Sequence, residues 1–177
     1  KEKGTSAVRI PAAAVRRMRL GRVDAETTAS VAYVAGGGRD GGGPGRGAEG
    51  AEFRAEVRGL DPQKVERQIA HMAEALRSAA AEGGARVVTE VRRAYDSFGL
   101  APGSEPVRRA ARAVRRIGRT PVFSRAGGGS DANVFNAKGI ECAALGVGYR
   151  GIHTYNECMP VDELVALSRL LVELMRG

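Results

Sequence analysis

Tryptophan is absent, and cysteine and histidine occur only twice each. Neither Cys142 nor Cys158 belongs to a CxxC pair, so nothing in the sequence indicates an oxidised scaffold or a thiolate zinc cluster, although a single bridge between them stays open. Reduced thiols in a cytoplasmic protein are the default expectation. No apolar run approaches the ~20 residues that span a bilayer, and the opening "KEKGTSAVRIPAAAVRR" has no apolar signal-peptide core. The opening has no Met and reads as mid-protein sequence, so the chain is expected to be a fragment. There is no GxSxG and no HExxH, and the loop "AGGGSDANVF" has neither the Walker A lysine nor the GxGxxG spacing, which removes the local signatures of several hydrolases and, for that loop, of nucleotide binders. Lysine is scarce, with Lys1, Lys3, Lys64 and Lys138 the only examples among 28 basic residues. The net charge of +8 is therefore carried by arginine in an Ala- and Gly-rich chain. That bias fits the composition of a GC-rich genome at least as well as a functional basic surface.

What is present reads as alternating helices and strands within one large or two small domains. Ser6 to Leu20 is expected to be a helix closed by Gly21, with Pro11 signalling a late start or a kink. "TTASVAYVA" (27–35) is rich in β-formers, with Val31 and Tyr33 on one face. Gly36 to Gly50 is glycine at nine of fifteen positions and reads as a flexible loop. "AEFRAEVRG" alternates cleanly, placing Phe53 and Val57 opposite Arg54 and Arg58. Asp61-Pro62 is a helix start, and Val65, Ile69, Met72 and Leu76 make the apolar stripe of a helix ending near Gly83. His71 lies beside that stripe and reads as a partly exposed helix residue. "ARVVTEVRRAY" reads as a strand. With one further strand upstream the order would be βαββαβ, a ferredoxin-like sandwich.

The composition breaks at "FGLAPGSEP", which marks a boundary between residues 1–98 and 99–177. Beyond it come a helix from Ser104 or Glu105 with Val107, Ala111, Val114 and Ile117 on one face, a short strand "TPVFSRA", a glycine loop, a strand "ECAALGVG" expected to be buried on both faces, a loop, and a helix from about Asp162 to Met175. This rhythm is that of an α/β layer. Arg108, Arg109, Arg112, Arg115, Arg116 and Arg119 fill the outer face of the first helix. They read as a solvated face; no aromatic residues interleave with them, as a nucleic-acid surface would favour.

Two features could carry chemistry. In "AGGGSDANVF" the glycine run at a strand end exposes backbone N–H groups able to hold an anion such as a carboxylate, or serves only as a turn. His153, with Glu157 nearby in "GIHTYNE", lies in a loop after a strand, where α/β sites form. Both are metal-ligand types, but two side chains do not make a site.

The segments "MRLGRVDAETTASVAYVAGG", "EVRGLDPQKVERQIAHM", "GGGSDANVFNAKGIECAALGVG" and "HTYNECMPVDELVALSRLLVEL", in that order, resemble the metal-dependent peptidase M20 family, in its peptidase T-like tripeptide aminopeptidase branch. The resemblance implies a zinc-binding α/β catalytic domain carrying a ferredoxin-like lid, or dimerisation, domain. Residues 1–98 would be most of the lid, and 99–177 the C-terminal part of the catalytic domain. It implies hydrolysis of short peptides, two zinc ions with a bridging water, and a glutamate as general base. His153 would be a ligand of one metal. Gly128 and Gly129, with Ser130, would hold the substrate's carboxylate end, and Arg58 on the lid strand would contact that carboxylate. The remaining ligands and the base would lie upstream, so no catalytic residue is expected here and the chain alone is expected to be inactive. Where relatives carry a "TN-x-x-P"-like turn, this chain has "GGGRDGGGPGRG". The runner-up reading is a non-catalytic homodimerisation module derived from the same family. No membrane partner is expected, and nucleic acid is not a favoured partner.

Overall fold

A computed structural model describes residues 6–37 and 50–176. They form two compact units divided between Ser97 and Phe98. Most of the Gly36–Gly50 loop expected from the sequence lies outside the described residues. No described helix is long and apolar enough to cross a membrane.

In the first unit, helix α1 (Arg9–Val15) is shorter than the sequence pattern suggests. Pro11 is the reason for its late start: it is the third helical residue, where its missing N–H would have no intrahelical partner anyway. Strands β1 (Gly21–Arg22), β2 (Thr28–Gly37) and β3 (Gly50–Arg58) make an antiparallel sheet in the order β1-β2-β3. Asp24 shapes the β1–β2 turn, its Oδ1 accepting from the backbone N–H groups of Glu26 and Thr27 at 2.9 and 2.8 Å.

The β2–β3 register slips at one residue. Val31 faces Ala55, but Tyr33 faces Arg54 and Val34 faces Phe53, so Ala32 is a bulge. The expectation that Val31 and Tyr33 share a face is therefore corrected. A bulge inverts the alternation beyond it. Val31 packs on the core, whereas Tyr33 joins the polar face with the Arg54 guanidinium 5.4 Å from its ring centre.

Helix α2 (Pro62–Glu82) starts as its sequence dictates: Asp61 accepts from the Gln63 N–H at 2.8 Å, and Pro62 occupies the first turn. Met72, Ala75, Leu76 and Ala79 meet Ala14 and Met18 from the α1 side and Ala29 from β2. Burying side chains of the Met or Leu kind contributes about 1.5–3 kcal/mol each. Gln68 is buried and donates to the Arg19 carbonyl at 2.7 Å, while His71 Nε2 accepts from the Arg19 N–H at 3.2 Å. One turn of α2 thus grips both sides of residue 19, giving His71 a bonding role that its sequence position did not reveal.

The strand expected at "ARVVTEVRRAY" is neither helix nor strand and joins no ladder among the described residues. The same holds for "TPVFSRA" and "ECAALGVG" in the second unit, so the double-sided burial expected for the latter is not found. The physical reason is common to all three: β structure needs a neighbour for its N–H and C=O groups, and none of these segments has one here. Val88, Val122 and Phe123 are accordingly 85%, 84% and 63% exposed.

In the second unit, α3 (Glu105–Arg116) packs against α5 (Val161–Arg176), and the short α4 (Asp131–Ala137) follows the glycine loop. The arginine stripe is largely engaged within the chain. Arg108 and Arg112 pair with Glu105, Arg109 donates to the Leu174 carbonyl, Arg116 approaches Glu173, and Arg119 pairs with Glu163. Glu163 and neighbouring Asp162 raise the Arg119 pKa above its ordinary value, the hydrogen bond to Glu163 contributing most.

Candidate functional site

The glycine loop enters α4 through a reciprocal arrangement at Ser130. Asn133, itself buried, accepts from the Ser130 N–H through Oδ1 at 2.9 Å, while the Asn133 N–H donates to the Ser130 carbonyl at 3.0 Å. Gly128, Gly129 and Ser130 are exposed. A Cβ added at Gly127 or Gly128 would meet nothing within 4 Å, and neither residue needs a positive φ. Packing within this chain therefore does not call for glycine there. Glycine without an internal reason is what a loop needs when another molecule must come close to its backbone.

Asn136, one turn after Asn133, holds the next segment. Its Nδ2 donates to the carbonyls of Ala132 and Cys142, both at 2.7 Å, and its Oδ1 accepts from the Cys142 N–H at 3.3 Å. Asn133 and Asn136 thus fix the loop and the segment after α4, and sequence reasoning passed over both. The available signal was asparagine inside a helix, where it is a poor helix former and instead seeks backbone partners.

His153 sits at the tip of a loop closed by a two-way bridge between Arg150 and Cys158, with N···O distances of 2.9 and 3.0 Å. Its φ of 64° is the one positive value at a non-glycine among the described residues. Its N–H donates to Glu157 Oε2 at 2.7 Å, and the Thr154 hydroxyl donates to the Gly151 carbonyl at 2.7 Å. Glu157 therefore acts on the backbone of His153 and stabilises an uncommon conformation that presents the imidazole to solvent. Among the described residues no three His, Cys, Asp or Glu side chains gather as a metal site. One imidazole and one occupied carboxylate do not make up the four-ligand set that zinc requires, so the residues present do not fit a complete zinc centre.

Arg58 ends β3. Its Nε and Nη2 donate to the two carboxylate oxygens of Glu56 at 2.6 and 3.0 Å. This fork raises the Arg58 pKa above its ordinary value, through the Glu56 hydrogen bond first and with a smaller contribution from Tyr95. The Arg58 side chain stays about 43% exposed, and the plane of its guanidinium is set by Glu56. Arg58 belongs to the first unit; the glycine loop and His153 belong to the second.

Comparison with known proteins gives this geometry a context. The chain is 39% identical over 174 residues to the uncharacterised protein YqjE of Bacillus subtilis, covering 98% of this chain and 46% of that one. A shorter match, 36% over 62 residues, is to succinyl-diaminopimelate desuccinylase of Helicobacter hepaticus, covering 35% of this chain and 16% of the relative. In structure it is similar to the aminopeptidase PepT of Bacillus cereus, with 42% identity and a TM-score of 0.75. It is also similar to a tripeptidase of Staphylococcus aureus, with 33% identity and a TM-score of 0.77. Each structural match takes in 98% of this chain and 45% of the other, so the chain spans about half the length of the proteins it matches. The family model for peptidases M20/M25/M40 matches residues 27–177. A chain of mixed helices and strands, matched by that model from β2 to its C-terminal helix, belongs to peptidase family M20/M25/M40.

Proposed function

We propose that the intact protein hydrolyses peptide bonds in short peptides as a metal-dependent aminopeptidase or tripeptidase. In this reading, residues 1–98 belong to a ferredoxin-like lid and 99–177 to the closing part of the catalytic domain. The observation that carries the reading is the likeness of 98% of the chain to an aminopeptidase and to a tripeptidase. The local geometry supports it. A peptide's carboxylate end needs donors that approach closely, and the Gly128–Gly129–Ser130 backbone offers them without side chains in the way. Arg58, its plane set by Glu56, offers a planar fork of the kind that suits a carboxylate. His153 serves as one ligand of a zinc ion whose other ligands come from outside this chain.

Because the donor set here is incomplete, no reaction step is assigned to a metal held by these residues alone. This chain's part is to bind and orient the peptide and to contribute one imidazole. The chain alone is therefore inactive in this reading.

The test compares this chain with a longer form that includes the upstream half, each supplied with zinc or cobalt. Tripeptides, dipeptides and an N-succinyl amino acid are the substrates. Tripeptide cleavage by the longer form alone is the expected result. Preference for the succinyl amide would move the reading to a desuccinylase, and an inert longer form with both metals would refute it.

A further inference from the structure

We propose that a cleft in the second unit, between the end of α3 and the first half of α5, binds a short peptide of about three residues that carries a charge at each end. The cleft is lined by Ile117, Arg119, Asp162, Val165, Ala166 and Arg169 and has a volume of about 280 Å³. None of these residues lies in the glycine loop or in the 150–158 loop, and the proposal does not depend on peptidase activity.

The sequence builds the cleft by the way it ends α3. Gly118 has a φ of 79°, a left-handed conformation that glycine adopts at little cost. Its N–H donates to the Arg115 carbonyl at 2.9 Å, and the Arg119 N–H donates to the Val114 carbonyl at 3.1 Å. Paired bonds of this kind close a helix on a left-handed glycine. The closure brings Ile117 and Arg119 beside the first turns of α5, where Arg119 donates to both oxygens of Glu163 at 2.5 and 3.2 Å. Glu163 is confined in turn by Gly148, where an added Cβ would sit 2.7 Å from the Glu163 Cβ. The wall that carries Arg119 is therefore set before a ligand arrives, which lowers the ordering cost of binding.

The other wall is one face of α5. Asp162, Val165, Ala166 and Arg169 follow the three- and four-residue spacing that puts side chains on one side of a helix. Val165 and Ala166, with Ile117 opposite, make an apolar floor. Val165 is 44% exposed, so a ligand lying on it removes apolar surface from water. Charged groups stand at both ends of that floor. Arg119 is already matched by Glu163. Arg169 makes no hydrogen bond or ion pair with any described residue. Asp162 helps to keep Arg119 charged but is not hydrogen-bonded to any described group. The cleft thus offers a free carboxylate, an apolar middle and a free guanidinium, in that order along α5.

This order selects the ligand. A ligand of one sign gains at one end of the floor and loses at the other. A ligand with an ammonium at one end and a carboxylate at the other gains at both. Asp162 and Arg169 are separated by about 10 Å of helix rise. An extended chain covers roughly 3.3–3.6 Å per residue, so about three residues span that distance and a single amino acid does not. The volume lies near the lower end of the roughly 300–1,000 Å³ typical of ligand pockets, which suits a peptide with small or aliphatic side chains.

The test titrates this chain with the tripeptide Ala-Leu-Ala and follows backbone amide shifts by NMR. Shifts are expected at 117–119 and 162–169. Amidating the C-terminus of the peptide is expected to weaken binding about three- to tenfold, the range for an exposed, charge-assisted hydrogen bond. Arg169→Gln is expected to weaken binding of the free acid by the same factor, and then to bind acid and amide alike. Asp162→Asn and acetylation of the N-terminus are expected to be coupled in the same way. Melting should be unchanged in Arg169→Gln, because that guanidinium holds no described partner. Shifts confined to 127–133 would put the peptide on the glycine loop and overturn the proposal. So would shifts at the cleft in which substitutions and end modifications simply add, since the charged ends would then not meet these side chains. Ala-Leu binding as tightly as Ala-Leu-Ala would refute the span, and an absence of shifts up to about 10 mM peptide would refute the site.

Discussion

Replacing Asn136 tests whether the second unit is organised by hydrogen bonds or by packing. The side chain makes three contacts, two as donor to the carbonyls of Ala132 and Cys142 and one as acceptor from the Cys142 N–H. The Ala132 carbonyl also accepts within α4, so Asn136→Ala chiefly strands the two backbone groups of Cys142. Each such bond is worth about 0.5–1.5 kcal/mol net. Alanine returns roughly 0.6 kcal/mol of helix propensity. The expected cost is therefore about 1–2 kcal/mol. Asn136→Asp keeps the shape and the acceptor but points a carboxylate at two carbonyl oxygens that now sit 2.7 Å away. Its cost should exceed that of alanine, and should shrink as the pH falls and the carboxyl gains a proton to donate. Urea unfolding of the whole chain measures both costs, and exchange of the Cys142 amide reports the site directly. If the near-isosteric Asp variant is milder than Ala at neutral pH, Asn136 acts by filling space and the hydrogen-bond reasoning is wrong.

Other consequences are simpler to check. Gly59→Ala places a Cβ 2.8 Å from Val65 and 3.3 Å from the buried Thr27 hydroxyl, so a loss of about 1–3 kcal/mol is expected by thermal melting. Gly128→Ala should leave the melting of this chain unchanged, because nothing lies within 4 Å of the new methyl. In the longer form, the same substitution should raise the KM for tripeptides. Asp24 is held below its ordinary pKa of 3.8, first by the backbone N–H of Glu26, then by Thr27 and Lys64. A carboxyl depressed on folding contributes stability above its unfolded pKa and loses it as the pH falls through the folded one. The protection of the Thr27 amide, measured against its intrinsic exchange rate, should therefore fall as the pH drops below the ordinary aspartate range, and Asp24→Asn should flatten that dependence. Arg58→Ala in the longer form should raise KM for peptides with a free carboxylate, with less effect on the corresponding amides.

Local rules were enough where the decisive contact lies within a few residues. Asp61-Pro62 starts α2, the stripe of Met72 and Leu76 faces the core, and β3 alternates as its residues require, because these depend on propensity, capping and period alone. The bulge at Ala32 was not legible, since one inserted residue in β2 is defined only against the register of β3. The roles of Asn133 and Asn136 were hidden for a similar reason: their partners are backbone groups whose positions exist only after the loop and α4 are in place. The positive φ of His153 likewise needs Glu157 and the Arg150–Cys158 bridge to hold it.

The sequence by itself determined α2, α3 and α5, β3 and the alternation of its faces, the glycine loop, and the family resemblance through motifs read in order. Tertiary structure decided which extended segments become strands. Val31 is buried by a paired neighbour, whereas Val88, Val122 and Phe123, with equal β-propensity, remain exposed without one. A helix satisfies its own backbone, but a strand is completed only by another strand.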